Sequence, residues 1–273
     1  MSSRDEWANP SSMGREGAVR MAAVLEDRAR CPDQRQVNGR LVAVLDPRRG
    51  ERILEAGSGS GVLARAIAPR IGLGGFVVGM DVSPDMVREA RTLRQSAGMS
   101  AAVASVVAAA ESSPFQDAAF DAAFAARLLL HVSDPSIVLG ELARVTRAGG
   151  RVVLMDWDFE TLAVDHPDRA ATRRIIAWRT DHHSGDNWSG RRLYRLMREA
   201  GLRDPMVVPV TTVAVDEQAA LTGSVFRAAE VACAGGAITL DEREAWTAAL
   251  RERLAAGSFL ASLTYFIVRG ERI

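Results

Sequence analysis

Three glycines at alternate positions, Gly57, Gly59 and Gly61, separate an apolar run ending Ile53-Leu54-Glu55-Ala56 from a helix-spaced segment starting at Val62. Glycines in such a turn accept left-handed backbone and let amide groups approach a ligand closely. The helix N-terminus that follows favours an anionic group. Asp81 stands twenty residues beyond Gly61, at the end of the next apolar run, Phe76–Met80. In nucleotide-binding α/β folds an acid at that place accepts both hydroxyls of a ribose. The dinucleotide pattern G-x-G-x-x-G is not met, because the third position after Gly59 is Val62. The expected ligand is therefore nucleoside-like but not a dinucleotide.

A second group of reactive side chains lies further on. Asp156 and Asp158 leave an apolar run together, and strand alternation puts them on one side with Trp157 on the other. They can supply a general base or orient a hydroxyl or amine. The structural alternative is that one caps the next helix while the other pairs with an arginine. His131 follows the apolar run 120–126, and His182 and His183 open a polar loop reaching Trp188. Adjacent histidines point apart on a regular element, and Asn187 has no third carboxylate in fixed register, so no metal site is expected. The candidate catalytic residues are Asp156, Asp158, His131, His182 and His183.

Composition removes whole classes of mechanism. All 34 basic residues are arginine. Without lysine there is no Schiff-base nucleophile, no pyridoxal aldimine and no phosphate-loop lysine. The 34 acids balance the arginines, which argues against a dedicated nucleic-acid binder. The arginines of 169–198 have acids nearby and read as a solvated, partly paired face. Cys31 and Cys233 are far apart and lack metal spacing, which fits a reducing cytoplasm. The N-terminal residues lack an apolar signal core and no run is long enough to span a membrane, so a cytoplasmic protein is expected.

Elements that would position these residues follow from periodicity. Helix spacing covers 14–30 and 34–45. Short apolar runs at 52–56, 75–80, 101–108, 120–126 and 151–156 then alternate with helical segments at 62–71, 84–97 and 135–147. This alternation signals βαβ units and a buried parallel sheet. Residues 147–150 are read as a glycine helix stop, and 159–200 as mostly helical. A strand at 206–213, helices at 217–234 and 241–256, and a last strand at 260–269 complete the chain. The expected division is N-terminal cap helices (1–45), a ligand-binding core (46–158), a helical lid insertion (159–203), and C-terminal strands with a second insertion (204–273).

The run Glu55-Ala56-Gly57-Ser58-Gly59-Ser60-Gly61, together with Pro114-Phe115…Asp117…Phe120-Asp121 and Glu141-Leu-Ala-Arg144…Gly149-Gly150, resembles the class I S-adenosylmethionine-dependent methyltransferases, nearest to the ubiquinone/menaquinone-type group. The resemblance covers roughly residues 35–160. It implies an α/β fold: a Rossmann-like seven-stranded sheet with helices on both faces and a helical cap. It also implies S-adenosylmethionine as cofactor, held by Glu55, Gly57, Ser58, Gly59, Gly61, Asp81, Glu111 and Arg127. Where the family often has Gly-Asp-Ala after strand three, this chain has Ala108-Ala109-Ala110-Glu111, which leaves Glu111, backbone or packing to hold the adenine. The expected activity is methylation of a small-molecule acceptor on O, N or C. The alternatives are a cofactor binder of the same fold that does not transfer methyl, cyclase-like or regulatory, and an RNA or protein methyltransferase. A homodimer stays open.

Overall fold

The computed structural model describes residues 14–99, 101–182 and 185–273. Seven strands form one sheet in the order β3-β2-β1-β4-β5-β7-β6. They are β1 (Arg52–Ala56), β2 (Phe76–Asp81), β3 (Val103–Val107), β4 (Phe120–Ala126), β5 (Thr146–Val164), β6 (Arg203–Ala214) and β7 (Ala261–Glu271). The first five run parallel, and β7 lies antiparallel between β5 and β6. Parallel strands need crossover helices, which supply the apolar layer on each face. Those of the first half are α3 (Val62–Ile71), α4 (Pro84–Ser96) and α5 (Pro135–Val145).

Strand alternation sorts the core into two layers. Ile53, Phe124, Val153 and Met155 share one face with the helix α2 (Pro32–Leu45), α3 and the late helices α6 (Arg169–His182), α8 (Ala220–Ala234) and α9 (Leu240–Ala255). Leu54, Ala123, Val152 and Leu154 share the other face with α5 and α7 (Ser189–Glu199). The first helix, α1 (Gly14–Arg30), makes a smaller cluster through Ala18, Met21 and Ala22 with Met86 of α4.

Two elements differ from the sequence expectation. Helix α5 stops at Val145, not Arg147. Thr146 bonds back to the Leu142 carbonyl at 2.7 Å and pairs with Phe120, while Gly149 turns left-handed at φ 70° inside the start of β5. At its other end β5 runs past 158 to Val164, because β7 pairs with it through Asp158–Thr264 and, after a bulge, through Ala163–Ser262. Residues 159–164 are thus strand, and helix begins only at Arg169. The two late helical pairs do sit between β5 and β6 and between β6 and β7.

One long-range cap fixes the N-terminal helices to the late insertion. Helix α8 has no capping side chain of its own. Its first amides, Ala220 and Leu221, donate at 3.0 Å each to the two carboxylate oxygens of buried Asp33 on α2. Asp33→Ala strands two buried donors and is expected to cost about 1–3 kcal/mol in denaturant unfolding, with Asp33→Asn costing less because it keeps one acceptor. Equal stability of the alanine variant and the parent would show that the cap contributes nothing.

Candidate active site

The glycine loop requires glycine for two separate reasons. Gly57, Gly59 and Gly61 have φ of 67°, 51° and 77°, all in the left-handed region. A Cβ on Gly57 would lie 2.7 Å from Leu128 Cδ1, and one on Gly59 would lie 2.9 Å from Leu25 Cδ1. The loop is thus clamped between Leu128, two residues past β4, and helix α1. Glu26 of α1 reinforces the clamp, accepting at 2.6 Å from both the Ser60 hydroxyl and Arg65 Nη2. Ser58 is buried, and its amide donates to the Met80 carbonyl at 2.9 Å.

Glu55 is 3% exposed at the end of β1. One oxygen accepts from the Ala64 amide in the first turn of α3 at 3.1 Å. Burial pushes its carboxyl up to about 8, against the opposing pull of that amide and of Arg127 and Arg65. A neutral acid here becomes a carboxylate once a cation such as an ammonium is placed against it. Asp81 takes the Gly59 amide on one oxygen at 2.9 Å and the Ser83 amide on the other at 3.0 Å. Each oxygen keeps a free lone pair, so the side chain can still accept two hydroxyls. Burial raises its pKa, with the two amides opposing. Val82 and Val107, both 46% exposed, flank Asp81 and offer apolar surface to a base. Glu111 lies exposed in the turn closed by the Ala109–Ser112 bridge.

Arg127 turns left-handed (φ 57°) directly after β4, its amide held by the Met155 carbonyl at 2.7 Å. Its Nη1 donates to Asn38 Oδ1 at 3.1 Å. Burial lowers its pKa, the nearby Arg28 guanidinium adds to that, and Tyr265, Asp156 and Glu55 oppose it. The structure therefore brings Glu55, Arg127 and Asp156 into one electrostatic group, at the ends of β1 and β4 and on β5 just where its pairing with β4 stops.

Asp156 and Asp158 do share one side of β5, and both are buried. Asp156 Oδ2 accepts from the Ser189 hydroxyl at the start of α7 at 2.6 Å. Its Oδ1 is buried and makes no well-aligned hydrogen bond, although the Leu130 amide is near enough to favour its charge. Burial pushes Asp156 up to about 7, with Ser189, Arg127 and Leu130 pulling the other way. Asp158 follows the structural alternative, pairing with an arginine. Arg191 Nε and Nη2 take its two oxygens, and Arg191 also reaches Glu160 at 2.7 Å, so this acid anchors α7.

Residues 185–187 of the polar loop lie against Leu130, after β4, and Phe159 of β5. Gly185 sits against the Leu130 carbonyl with no room for a Cβ, and the Asp186 amide donates to that carbonyl at 2.6 Å. Asn187 is the loop's buried peg, accepting from Arg179 at 2.8 Å through its side chain and from the Phe159 amide at 2.9 Å through its backbone. His182 is exposed and stacks on Trp178 at 3.8 Å, on the α6 side of the loop. His183 lies outside the described residues. His131 is half-buried in the 3-10 turn Leu129–His131, its amide bonded to the Leu128 carbonyl at 2.8 Å. No cluster of three potential metal ligands occurs among the described residues. A groove of about 800 Å³ between α8 and α9, lined by Phe226, Arg251 and Leu254, lies away from this site.

A parallel sheet extended by an antiparallel β7 ahead of β6, with a glycine turn after β1 and an acid at the end of β2, defines a methyltransferase-type α/β fold. Residues 54–154 match the family described as a methyltransferase domain. The chain is 34% identical to an uncharacterised 37.1 kDa transposon-borne protein of Streptomyces fradiae, over 84% of this chain and 64% of that one. It is 33% identical to O-methyltransferase resE of Aspergillus sclerotiorum, over 59% and 58% of the two chains. It is 32% identical to the ubiquinone/menaquinone biosynthesis C-methyltransferase UbiE of a Geobacter strain, over 41% and 48%. The chain thus spans less than two thirds of the length of each of these relatives. In fold it is similar to geranyl diphosphate C-methyltransferase of Streptomyces coelicolor (TM-score 0.56, 18% identity, 95% of this chain and 84% of that one). It is also similar to the [4+2]-cyclase SpnF (TM-score 0.53, 22% identity, 88% and 82%). Residues 54–154 thus form a methyltransferase domain, and the chain is similar in sequence and fold to class I S-adenosylmethionine-dependent methyltransferases.

The raised Glu55 pKa carries a stability consequence. The folded value of about 8 lies above the ordinary range of a glutamate carboxyl, so the folded state binds the extra proton. Stability from this group is complete below its unfolded pKa and is lost as pH rises through about 8. Glu55→Gln removes that loss. It is expected to melt higher than the parent at alkaline pH and to differ little in mild acid. A thermal melt series showing a pH-independent difference would contradict the assignment. In the same site, Asp81→Ala is expected to weaken binding of S-adenosylhomocysteine about 10–100-fold by calorimetry, since charge-assisted hydrogen bonds are worth roughly 1.5–3 kcal/mol each. Unchanged affinity in the folded variant would remove Asp81 from the site.

Proposed function

We propose that this protein transfers the methyl group of S-adenosylmethionine to a small-molecule acceptor bound between Asp156 and the loop 185–188. The observation that carries the reading is the unsatisfied, buried Asp156 Oδ1 on β5 just past the end of β4, near Arg127 and beside residues 185–188 pegged over the same edge. S-adenosylmethionine supplies a methyl already activated on a sulfonium. Glu55 would take the cofactor's ammonium and Asp81 its ribose hydroxyls, with the glycine-loop amides between them and the apolar faces of Val82 and Val107 against the base. What remains for the chain is alignment and exclusion of water, which are large terms in such a displacement.

A hydroxyl acceptor must also lose a proton as its oxygen bonds the methyl carbon and the carbon–sulfur bond breaks. Asp156, held near 7 and facing Arg127, is suited to receive that proton. Ser189 fixes the other carboxylate oxygen, so Oδ1 is the atom left to act. The α1–α2 helices and the 185–188 loop crowd the strand ends, which favours a small acceptor over RNA or protein. Two relatives named for small-molecule biosynthesis or O-methylation, UbiE and resE, support the same class.

The direct test incubates the protein with methyl-labelled S-adenosylmethionine and an extract divided into dialysable metabolites, RNA and protein. Label in the dialysable fraction is expected; label confined to RNA or protein would overturn the acceptor class. Asp156→Asn keeps an acceptor for Ser189 but cannot take a proton. With the acceptor so found, its turnover is expected to fall about 10²–10⁴-fold while cofactor affinity stays near the parent's. A loss confined to acceptor KM would assign Asp156 to orientation instead.

A further inference from the structure

On the sheet face opposite Asp156, a cluster of hydrogen-bond donors gathers with no carboxylate paired to it among the described residues. Arg28 of α1 lies with its guanidinium 5.3 Å from the centroid of the Trp157 ring and donates from Nη2 to the Tyr265 hydroxyl at 3.2 Å. Gln34 of α2 donates to the same hydroxyl at 3.2 Å. Trp157 and Tyr265 pair directly across β5 and β7 and meet edge to face at 6.1 Å. Arg28 Nε and Trp157 Nε1 are both buried with no hydrogen-bond partner. Arg127 adds a second guanidinium close enough for Arg28 to disfavour its charge.

The nearby carboxylates do not answer this charge. Asp33 has committed both oxygens to the start of α8. Glu55 and Asp156 act on Arg127. Arg28 makes no ion pair among the described residues; its polar contact is the neutral Tyr265 hydroxyl. A half-buried guanidinium beside an unfilled indole N–H is costly unless an anion completes the arrangement, and a carboxylate fits such a set of planar donors.

Strand order says whose carboxylate it is. The residues assigned to the cofactor lie on β2, on β1 and at the end of β4. Arg28 sits over β5 and β7, which come after β4 in the sheet. At about 4.8 Å per strand, Tyr265 is roughly 14 Å across the sheet from β1. The cofactor's own carboxylate is bonded to the carbon that carries its ammonium, so with the ammonium at Glu55 it stays beside β1 and β4. We propose that Arg28, with the Trp157 indole and the Tyr265 hydroxyl, binds a carboxylate on the methyl acceptor, so that the acceptor is an organic acid. This rests on the methyltransferase reading above.

The test is calorimetric and uses the full chain saturated with S-adenosylhomocysteine. Benzoate, cinnamate and octanoate are each titrated beside their primary amides, into the parent and into Arg28→Gln and Arg28→Lys. At least one acid is expected to bind the parent about 10–100-fold tighter than its amide, as one charge-assisted contact implies. That preference should vanish in Arg28→Gln and survive in part in Arg28→Lys, with affinity for S-adenosylhomocysteine unchanged throughout. Equal binding of every acid and its amide by the parent overturns the proposal. So does a tenfold or greater loss of S-adenosylhomocysteine affinity in Arg28→Gln, which would assign the carboxylate to the cofactor. Binding of S-adenosylhomocysteine by the parent, measured before any acid is added, reports separately on the methyltransferase reading.

Discussion

A carboxyl group buried at the end of β1 with one amide for a partner is the constraint around which the site is arranged. Glu55 cannot carry its charge cheaply where it lies, and burial holds its proton on to about pH 8. Removing it would relieve the fold, so its place makes sense only with a cation to come. The surroundings prepare for that arrival. Helix α3 aims its first-turn amide at one oxygen, Arg127 stands across the strand ends, and the glycine loop presses its backbone against the space beside them. Asp81 braces the same loop through the Gly59 amide, tying the acid proposed to take the ribose hydroxyls to the glycine turn.

The alternation of β5 divides the remaining chemistry between two faces. Asp156 and Asp158 point toward α7, one engaging its first residue and the other clamped by Arg191. Trp157 points the opposite way, into the layer built by α1, α2 and Tyr265. The proposed proton acceptor on one side and the donor cluster on the other approach each other where β5 runs on past the end of β4, and Arg127 stands there within the field of both. The N-terminal helices are therefore part of the site. Leu25 and Glu26 hold α1 to the glycine loop, and Arg28, one turn on, extends from the same helix over β5 and β7.

The legible parts of the sequence were those whose signal is local. The glycine spacing, Glu55 before it and Asp81 after it are set by a single βαβ unit, and the apolar runs of the first half found their strands within a few residues. The extension of β5 beyond Asp158 was hidden because its partner, β7, begins about a hundred residues later. Still longer separations concealed Arg28 and Tyr265, 237 residues apart, and the Asp33 cap on α8, which joins residues 187 apart. The arginine that pairs with Asp158 was hidden for a related reason. Strand periodicity gave the acid's side of the sheet but not Arg191, which reaches it from an inserted helix. Trp157 was legible as a bulky residue at the edge, while its unfilled N–H follows only from packing.

The central claim is that the Glu55 carboxyl gives up its proton to receive the cofactor's ammonium. Calorimetric titration of S-adenosylhomocysteine in two buffers of different ionisation enthalpy measures this directly. Near neutral pH, binding should release close to one proton per site, and affinity should rise with pH, at most about tenfold per unit, levelling off above about 8. Glu55→Gln should abolish the release. Binding of the ligand by the parent with no proton released and no dependence on pH would contradict the account.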